Sequence, residues 1–501
     1  MSTQIATEWI EFPESATQQA KSTPSKQRES KKKSSQADRL IKIGNGWEFF
    51  HTSDLRAFAS VPVKGHEETI AVKSRKFRAF LIRTYRSGSG KSVSSGAIQD
   101  AVAFFEGAGL CGEQLAVHTR LAMHNTAIYL DLCNDRWEAI EITAEGWRVV
   151  AEPPVKFRRA RGMLALPTPT RGGKISDLRS FVNVASNDDF LLLVAWALGA
   201  FRPGLPCPVQ VLHGEQGSAK STTAKVQKRL IDPADPVLRS LPREGRDLYI
   251  AASNSWVIAL DNVSGLPVWL SDDLCRLATG GGFATRELYS DDEEKIFSAL
   301  RPVILNGIEE IATRSDLLDR CILLELPTIA KEKRRAEADF WSDFDEASPG
   351  ILGALLDVVV YGLKNLPTTR LQSCPRMADF ATWIVACEPA LGWPPGTVLQ
   401  AYERNRSEAN SVSLDASIIG ESILSIADDG GFTGTVSELL RTVNECAGEN
   451  LRKQVGWPKN GRAISGQLKR IAPNLRQKGV TVNWFREGGS RQIEIQKETD
   501  G

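Results

Sequence analysis

The stretch Gly214-Glu215-Gln216-Gly217-Ser218-Ala219-Lys220-Ser221 constrains this chain more than any other. It follows the apolar run Pro208 to Leu212 and precedes a helical pattern from Thr222 to Leu230. A glycine-bearing turn between a buried strand and a helix lets backbone N–H groups curl around phosphate oxygens, and the helix N-terminus adds a favourable field. Gly214, Gly217, Ser218, Ala219, Lys220, Ser221 and Thr222 are therefore the expected nucleotide cradle. Lys220 is placed to reach the β- and γ-phosphates and Ser221 to hold Mg²⁺, so ATP with Mg²⁺ is the expected ligand. One position departs from the usual pattern, with Ala219 where glycine precedes the lysine. A helical backbone there would tolerate the methyl group, whereas a tighter conformation would not.

Downstream segments extend the same chemistry. Trp256 to Asp261 reads as an apolar strand ending in a carboxylate, as a Walker B strand does, and Asp261 would hold Mg²⁺ through water. The next residue is Asn262, which cannot accept a proton as a carboxylate does. Three ways out remain. A base comes from Asp272, Asp273, Glu293 or Glu294; Asn262 only orients water; or turnover is slow. Arg301 to Asn306 is a further apolar run, and its terminal amide could orient the attacking water. Asp316 to Arg320 leads into the strand Cys321 to Leu326, and a fifth short strand is expected near Val237 to Leu241. A second stretch ending in Gly-Lys-Ser, Gly88 to Ser92, has Tyr85 where the first glycine belongs and reads as a flexible turn before a helix.

In this order, the segment from 190 to 327 resembles the AAA+-type ATPase core of superfamily 3 helicases. It is most similar to the helicase half of phage, plasmid and genomic-island primase-helicases. The resemblance implies that Gly280 to Arg286 forms a DNA-contacting hairpin, with Arg286 touching single-stranded DNA in a pore. It implies that Arg320 is an arginine finger acting on ATP in a neighbouring subunit, with Arg314 as its rival, and hence a homo-oligomeric ring, a hexamer. Plainer roles stand beside these: Arg286 pairing with Asp291 or Asp292, and Arg320 with Asp319. A polymerising primase domain would need clustered carboxylates. Asp131 and Asp135 are the tempting pair before residue 175, and they read as a polar turn, so that domain is expected to be absent.

The flanks are read from composition and periodicity. With 501 residues, about three domains are expected. Residues 1–37 read as a disordered basic tail, and 38–175 as an α/β domain. Within that domain a helix is expected at 97–105, strands at 127–130 and 136–142, and a basic run at 156–161. Residues 176–330 form the ATPase, 331–429 a helical region and 430–501 a winged-helix-like domain. The fold class is α/β, an AAA+-like phosphate-loop core with a parallel sheet between these flanks. A net charge of +1 means that nucleic-acid contacts must come from local patches. One stands out: from Arg452 to Lys497 there are eleven Lys/Arg and two acids. Helical spacing at 435–446 and 464–475 is followed by alternating strands around Glu487-Gly488-Gly489-Ser490. Arg462, Gln467, Lys469 and Arg470 fall on or beside the recognition helix, and Arg486 and Arg491 flank the hairpin tip, so duplex DNA is the expected partner. A basic protein-interaction module is the alternative. Trp457-Pro458 reads as an anchor at a helix start.

Eight singly scattered cysteines argue against a zinc ribbon and fit a reduced, cytoplasmic setting. The longest apolar run, Phe190 to Phe201, is too short to cross a bilayer. The expected function is an ATP-dependent DNA helicase or translocase serving replication of a mobile element. An ATP-gated oligomeric switch and an origin-binding initiator are the alternatives.

Overall fold

A capping box starts the first helix inside the expected tail. Ser35 Oγ accepts the Asp38 N–H at 3.0 Å, the Asp38 carboxylate accepts the Ser35 N–H at 2.9 Å, and α1 runs Gln36–Ile43 with Leu40 buried. The computed structural model describes residues 34–286, 294–307, 311, 314–415, 417–454 and 456–497, so the tail before residue 34 lies outside the described residues. Next come β1 (Glu48–His51), β2 (Ala57–Val63), β3 (His66–Ala71), α2 (Arg75–Ser89), α3 (Ser95–Leu110) and β4 (Glu113–Gln114). The strands form a sheet in the order β3-β2-β1-β4. An aromatic cluster of Trp47, Phe49, Phe77 and Phe105 ties helices to sheet, with the Phe49 and Phe105 rings stacked at 4.9 Å. The Gly-Lys-Ser stretch at 88–92 is a helix end: Gly90 takes a left-handed conformation and its N–H closes on Arg86 O.

A second sheet follows. β5 (Val117–His118) pairs with β10 (Lys156–Phe157), while β6 (Leu121–His124), β7 (Ala127–Asp131), β8 (Ala139–Ile142) and β9 (Trp147–Val150) make an antiparallel meander. The strand expected at 136–142 begins only at Ala139. Trp137 has φ +58°, its N–H bonds Asn134 O, and the Asn134 side chain holds Glu138, so the turn extends to that point.

The centre is a parallel sheet. α4 (Asn187–Ala200) is buried from Phe190 onward. Then come β11 (Val209–His213), α5 (Lys220–Ile231), α6 (Gly245–Asn254), β12 (Ile258–Leu260) and α7 (Val268–Thr279). The hairpin β13 (Gly282–Arg286) and β14 (Glu294–Ser298) precedes β15 (Val303–Asn306), α8 (Ser315–Leu318) and β16 (Cys321–Glu325). The order β12-β15-β11-β16 is parallel throughout. Leu212, Ile304, Ile322 and Leu324 pack on one side with α4 and α5, and Val211, Ile258, Val303 and Leu305 on the other with α6 and α7. That explains why these strands read as continuous apolar runs. The expected fifth strand shrinks to a single parallel bridge between Arg239 and Leu260, because Pro236 and Pro242 on either side deny a ladder its donors.

α9 (Glu337–Asn365), α10 (Ala378–Cys387) and α11 (Thr397–Asp415) cover the α4 side. By length and composition α9 could cross a membrane, which the expectation from Phe190 to Phe201 overlooked. Its Ile351, Leu352, Leu355, Leu356 and Val359 sit in the shared core instead. The last unit comprises α12 (Gly420–Asp428), β17 (Phe432–Thr435), α13 (Val436–Cys446), α14 (Glu449–Arg452), α15 (Gly461–Gln477), β18 (Val480–Glu487) and β19 (Ser490–Lys497), around its own core. Trp457 anchors there, its Nε1–H donating to Asn444 Oδ1 at 2.8 Å.

Candidate functional site

The loop from β11 to α5 emerges at the C-terminal edge of the parallel sheet. Register places Leu212 beside Asn306 and Leu260 beside Leu305, so β11, β15 and β12 deliver their ends to one place. Gly214 has φ +142°, and a Cβ there would lie 2.2 Å from Leu326 O, so only glycine fits. Asn183 Nδ2 donates to Ser218 O at 3.0 Å and to Pro327 O at 2.6 Å, and the Ile329 N–H donates to Gly217 O at 3.2 Å. Ser218 Oγ–H closes on Glu215 O at 2.8 Å. Lys220 Nζ folds over the loop and donates to Gly214 O at 2.8 Å and Glu215 O at 2.7 Å. Partial burial lowers its pKa. Thr222 lies in the first turn of α5.

Ser221 Oγ–H donates to Asp261 Oδ1 at 2.8 Å. Asn262 has φ +56°, and its N–H donates to Asn306 Oδ1 at 3.1 Å. Asn306 is only 2% exposed, and its Nδ2 has no partner among the described residues. An unpaired buried amide donor is costly, and here it stands beside the Ser221–Asp261 contact and the lysine loop.

Of the two kinds of backbone conformation open at this position, Ala219 takes the one less favourable to a methyl group. It has φ +60° and ψ +29°, the left-handed region, which costs a side-chain-bearing residue about 1 kcal/mol. The loop needs that turn to start α5, because Ala219 O accepts the Thr223 N–H at 2.9 Å.

Arg320 is not brought to this site. It precedes β16 at the opposite, N-terminal edge of the sheet, where its carbonyl accepts the Val209 N–H at 2.9 Å. About 15 Å of strand separates that edge from the loop. Its guanidinium bonds Asp316 O, and its Nε has no partner among the described residues. The suggested Arg320–Asp319 pair is overturned: Asp319 is taken by Arg406 at 2.8 Å and Arg376 at 3.0 Å. Arg314 pairs with Asp272 at 3.0 Å and Asp316 at 3.3 Å. Asp273 bonds Arg276 at 2.5 Å, so Asp272 and Asp273 are both held by arginines. Glu294 lies in β14, and Glu293, Asp291 and Asp292 lie outside the described residues. Arg286 ends β13 in register with Glu294.

Before residue 175 the conspicuous charges hold the fold. In the basic run, Lys156 bonds Glu48 at 2.5 Å, Arg158 bonds Ser253 O, and Arg159 grips the buried Asp131 at 2.7 Å. Asp131 also caps its turn through the Cys133 N–H at 2.9 Å, while Asp135 lines the neighbouring cleft of about 910 Å³.

On α15, Arg462 and Lys469 are exposed one heptad apart, and Arg476, absent from the sequence expectation, completes the stripe. Seven-residue spacing was the available signal. Arg470 lies beside it, its carbonyl accepting Ser315 Oγ–H at 3.2 Å and so joining α15 to α8. Gln467 is committed internally, donating to Gly456 O at 2.8 Å. Arg486 and Arg491 face each other directly across β18 and β19.

Residues 175–408 match the family model described as the actinomycete integrative conjugative element replication protein. Residues 419–500 match that of the C-terminal domain of the same replication protein, RepA. No curated protein gives a significant match. Solved structures similar to this chain include the apo A form of the NrS-1 C-terminal region, at 11% identity and a TM-score of 0.39, covering 91% of this chain and 98% of that one. A further apo structure of the same region has 11% identity and a TM-score of 0.39, with coverages of 92% and 99%. With both regions matched in chain order over well beyond half its length, the chain belongs to the family of actinomycete integrative conjugative element replication proteins.

Proposed function

We propose that this replication protein is an ATP-dependent DNA motor, a helicase or translocase with a phosphate-loop core of the AAA+, superfamily 3 kind, working as a homo-oligomeric ring. The observation that carries this is the 2.8 Å contact of Ser221 Oγ with Asp261, on the sheet edge that also bears the Lys220 loop and Asn306. These residues fit ATP with Mg²⁺. Lys220 is an ammonium resting on loop carbonyls that phosphate oxygens would replace, and backbone N–H groups of Gly214 to Thr222 would supply further donors to the phosphates. Ser221 and Asp261 would hold the metal, and the unpartnered Asn306 Nδ2 is a donor awaiting an acceptor. Hydrolysis of the bound triphosphate would supply the free energy for movement.

The chain's own residues bear on the rate. An amide is far too weak a base to take a proton, so Asn306, whose Oδ1 accepts the Asn262 N–H, can only donate, and Asn262 brings no carboxylate. Arg320, on the far edge of the sheet, could serve only a neighbour's nucleotide, hence the ring, a hexamer by resemblance. Arg286 would contact single-stranded DNA in the pore. Arg462, Lys469, Arg470, Arg486 and Arg491, with Arg476, would hold duplex phosphates in the manner of a winged helix.

The test is ATP turnover by the purified protein with and without DNA. Turnover that DNA stimulates and Lys220→Ala abolishes is expected, and its absence in assembled protein would sink the motor. The missing carboxylate at Asn262, with Asp272 and Asp273 engaged elsewhere, favours a second function, an ATP-gated oligomeric switch or initiator. ATP-driven assembly without turnover would establish that one.

A further inference from the structure

The C-terminal hairpin ends in two exposed aromatic rings, Trp484 at 41% and Phe485 at 37%. Strand side chains alternate between faces. Val480, Val482 and Trp484 therefore share the side that packs on α15, and Trp484 stands just past the end of that core. Phe485 belongs to the opposite side. Arg486 and Arg491 sit directly opposite each other, one pair further out and on the Trp484 side. Like charges across an antiparallel pair destabilise it. Neither guanidinium has a carboxylate partner among the described residues, and Glu494 on β19 bonds Asn483 and Gln496 instead. Gly488 and Gly489, at φ +58° and +84°, keep the tip narrow.

We propose that this hairpin binds DNA where two strands part, with Trp484 stacking on an unpaired base of one strand and Phe485 on a base of the other. The inference rests on the DNA-binding role proposed above for the C-terminal region. Stacking needs a free base face, which a duplex interior does not offer, and it tolerates any sequence. A ring on each side of a narrow ribbon suits two separated strands. A backbone phosphate held by Arg486 and Arg491 accounts for the two like charges set face to face.

The test uses full-length protein without nucleotide, titrated against a labelled blunt duplex and a fork bearing the same duplex. The wild type is expected to prefer the fork by about fivefold or more. Replacing both rings (Trp484→Ala with Phe485→Ala) should bring fork affinity down to the duplex level and leave duplex affinity within about twofold. Arg462→Glu with Lys469→Glu should weaken both. Arg491→Gln should raise the melting temperature of the free protein while weakening fork binding, opposite signs that a merely structural arginine would not produce. Equal wild-type affinity for the two DNAs, or a fork preference surviving loss of both rings, overturns the inference and leaves the DNA-binding role standing. No wild-type binding to either DNA overturns both.

Discussion

Ala219 shows how one methyl group is tolerated at a cost. Its left-handed backbone is the one a glycine would adopt freely. Ala219→Gly is therefore expected to stabilise the protein by about 0.5 kcal/mol, the relieved backbone cost of about 1 kcal/mol less about half of that for the greater freedom glycine has when unfolded. Thermal melting checks this, and an unchanged or lower midpoint would mean that the methyl group makes a compensating contact. At the same scale, Asn306→Leu removes the unpaired Nδ2 together with the acceptor for the Asn262 N–H. Nucleotide affinity should fall at least as much as stability, because the amide's spare donor has no partner among the described residues.

Among elements, the far end of α5 carries the heaviest burial of charge. Arg120, fully buried and at φ +64°, places Nε 3.0 Å from Asp232 and its other nitrogens on the carbonyls of Asp131, Leu164 and Pro233. Lys228 Nζ reaches the other Asp232 oxygen at 3.0 Å, and the N–H groups of Trp256 and Val257 complete the shell. One carboxylate thus joins the meander, α5 and the strand leading to Asp261. Removing one member should cost about 3–5 kcal/mol, since it strands a buried charge, and Arg120→Met tests this by denaturant unfolding. Burial alone would raise the Asp232 pKa, but the fields of Lys228 and Arg120 and the Val257 hydrogen bond outweigh it and hold the carboxyl at about 2. A carboxyl depressed from 3.8 gives stability that is complete above about 4 and fades as the pH falls toward about 2. Asp232→Asn should flatten that acid limb of the stability profile. Elsewhere Asn405 of α11 closes the free edge of β16, its side chain exchanging hydrogen bonds with both backbone groups of Leu323.

For the whole molecule, the separation of Arg320 from Lys220 by the length of the sheet predicts complementation. Lys220→Ala and Arg320→Ala should each abolish turnover alone, while mixed assemblies should regain part of it, because some junctions would pair an intact loop with an intact arginine. Mixtures as inactive as either parent would remove Arg320 from the mechanism. The α15 stripe predicts a salt effect. Alanine at Arg462, Lys469 and Arg476 should flatten the dependence of duplex affinity on salt by about 0.9 per lost phosphate contact.

Local pattern alone marked the phosphate loop, the strand ends at Asp261 and Asn306, the two-faced apolar strands and the hairpin turn at Gly488. Each is written in neighbouring residues, as glycine placement or period-two and period-3.6 burial. What local pattern could not decide was where distant charges go. The basic run at 156–161 carries no local sign of its partners, yet Arg158 and Arg159 are fastenings to Ser253 and Asp131. Arg320 found Asp316 O instead of Asp319. Nothing in their local sequence marks Arg120, Lys228 and Asp232, and folding carries them into one buried cluster. Hydrophobic burial follows short-range periodicity, so it can be read along the chain. A charge takes whichever partner the finished packing brings within about 4 Å, and residues more than a hundred positions apart meet only in the tertiary structure.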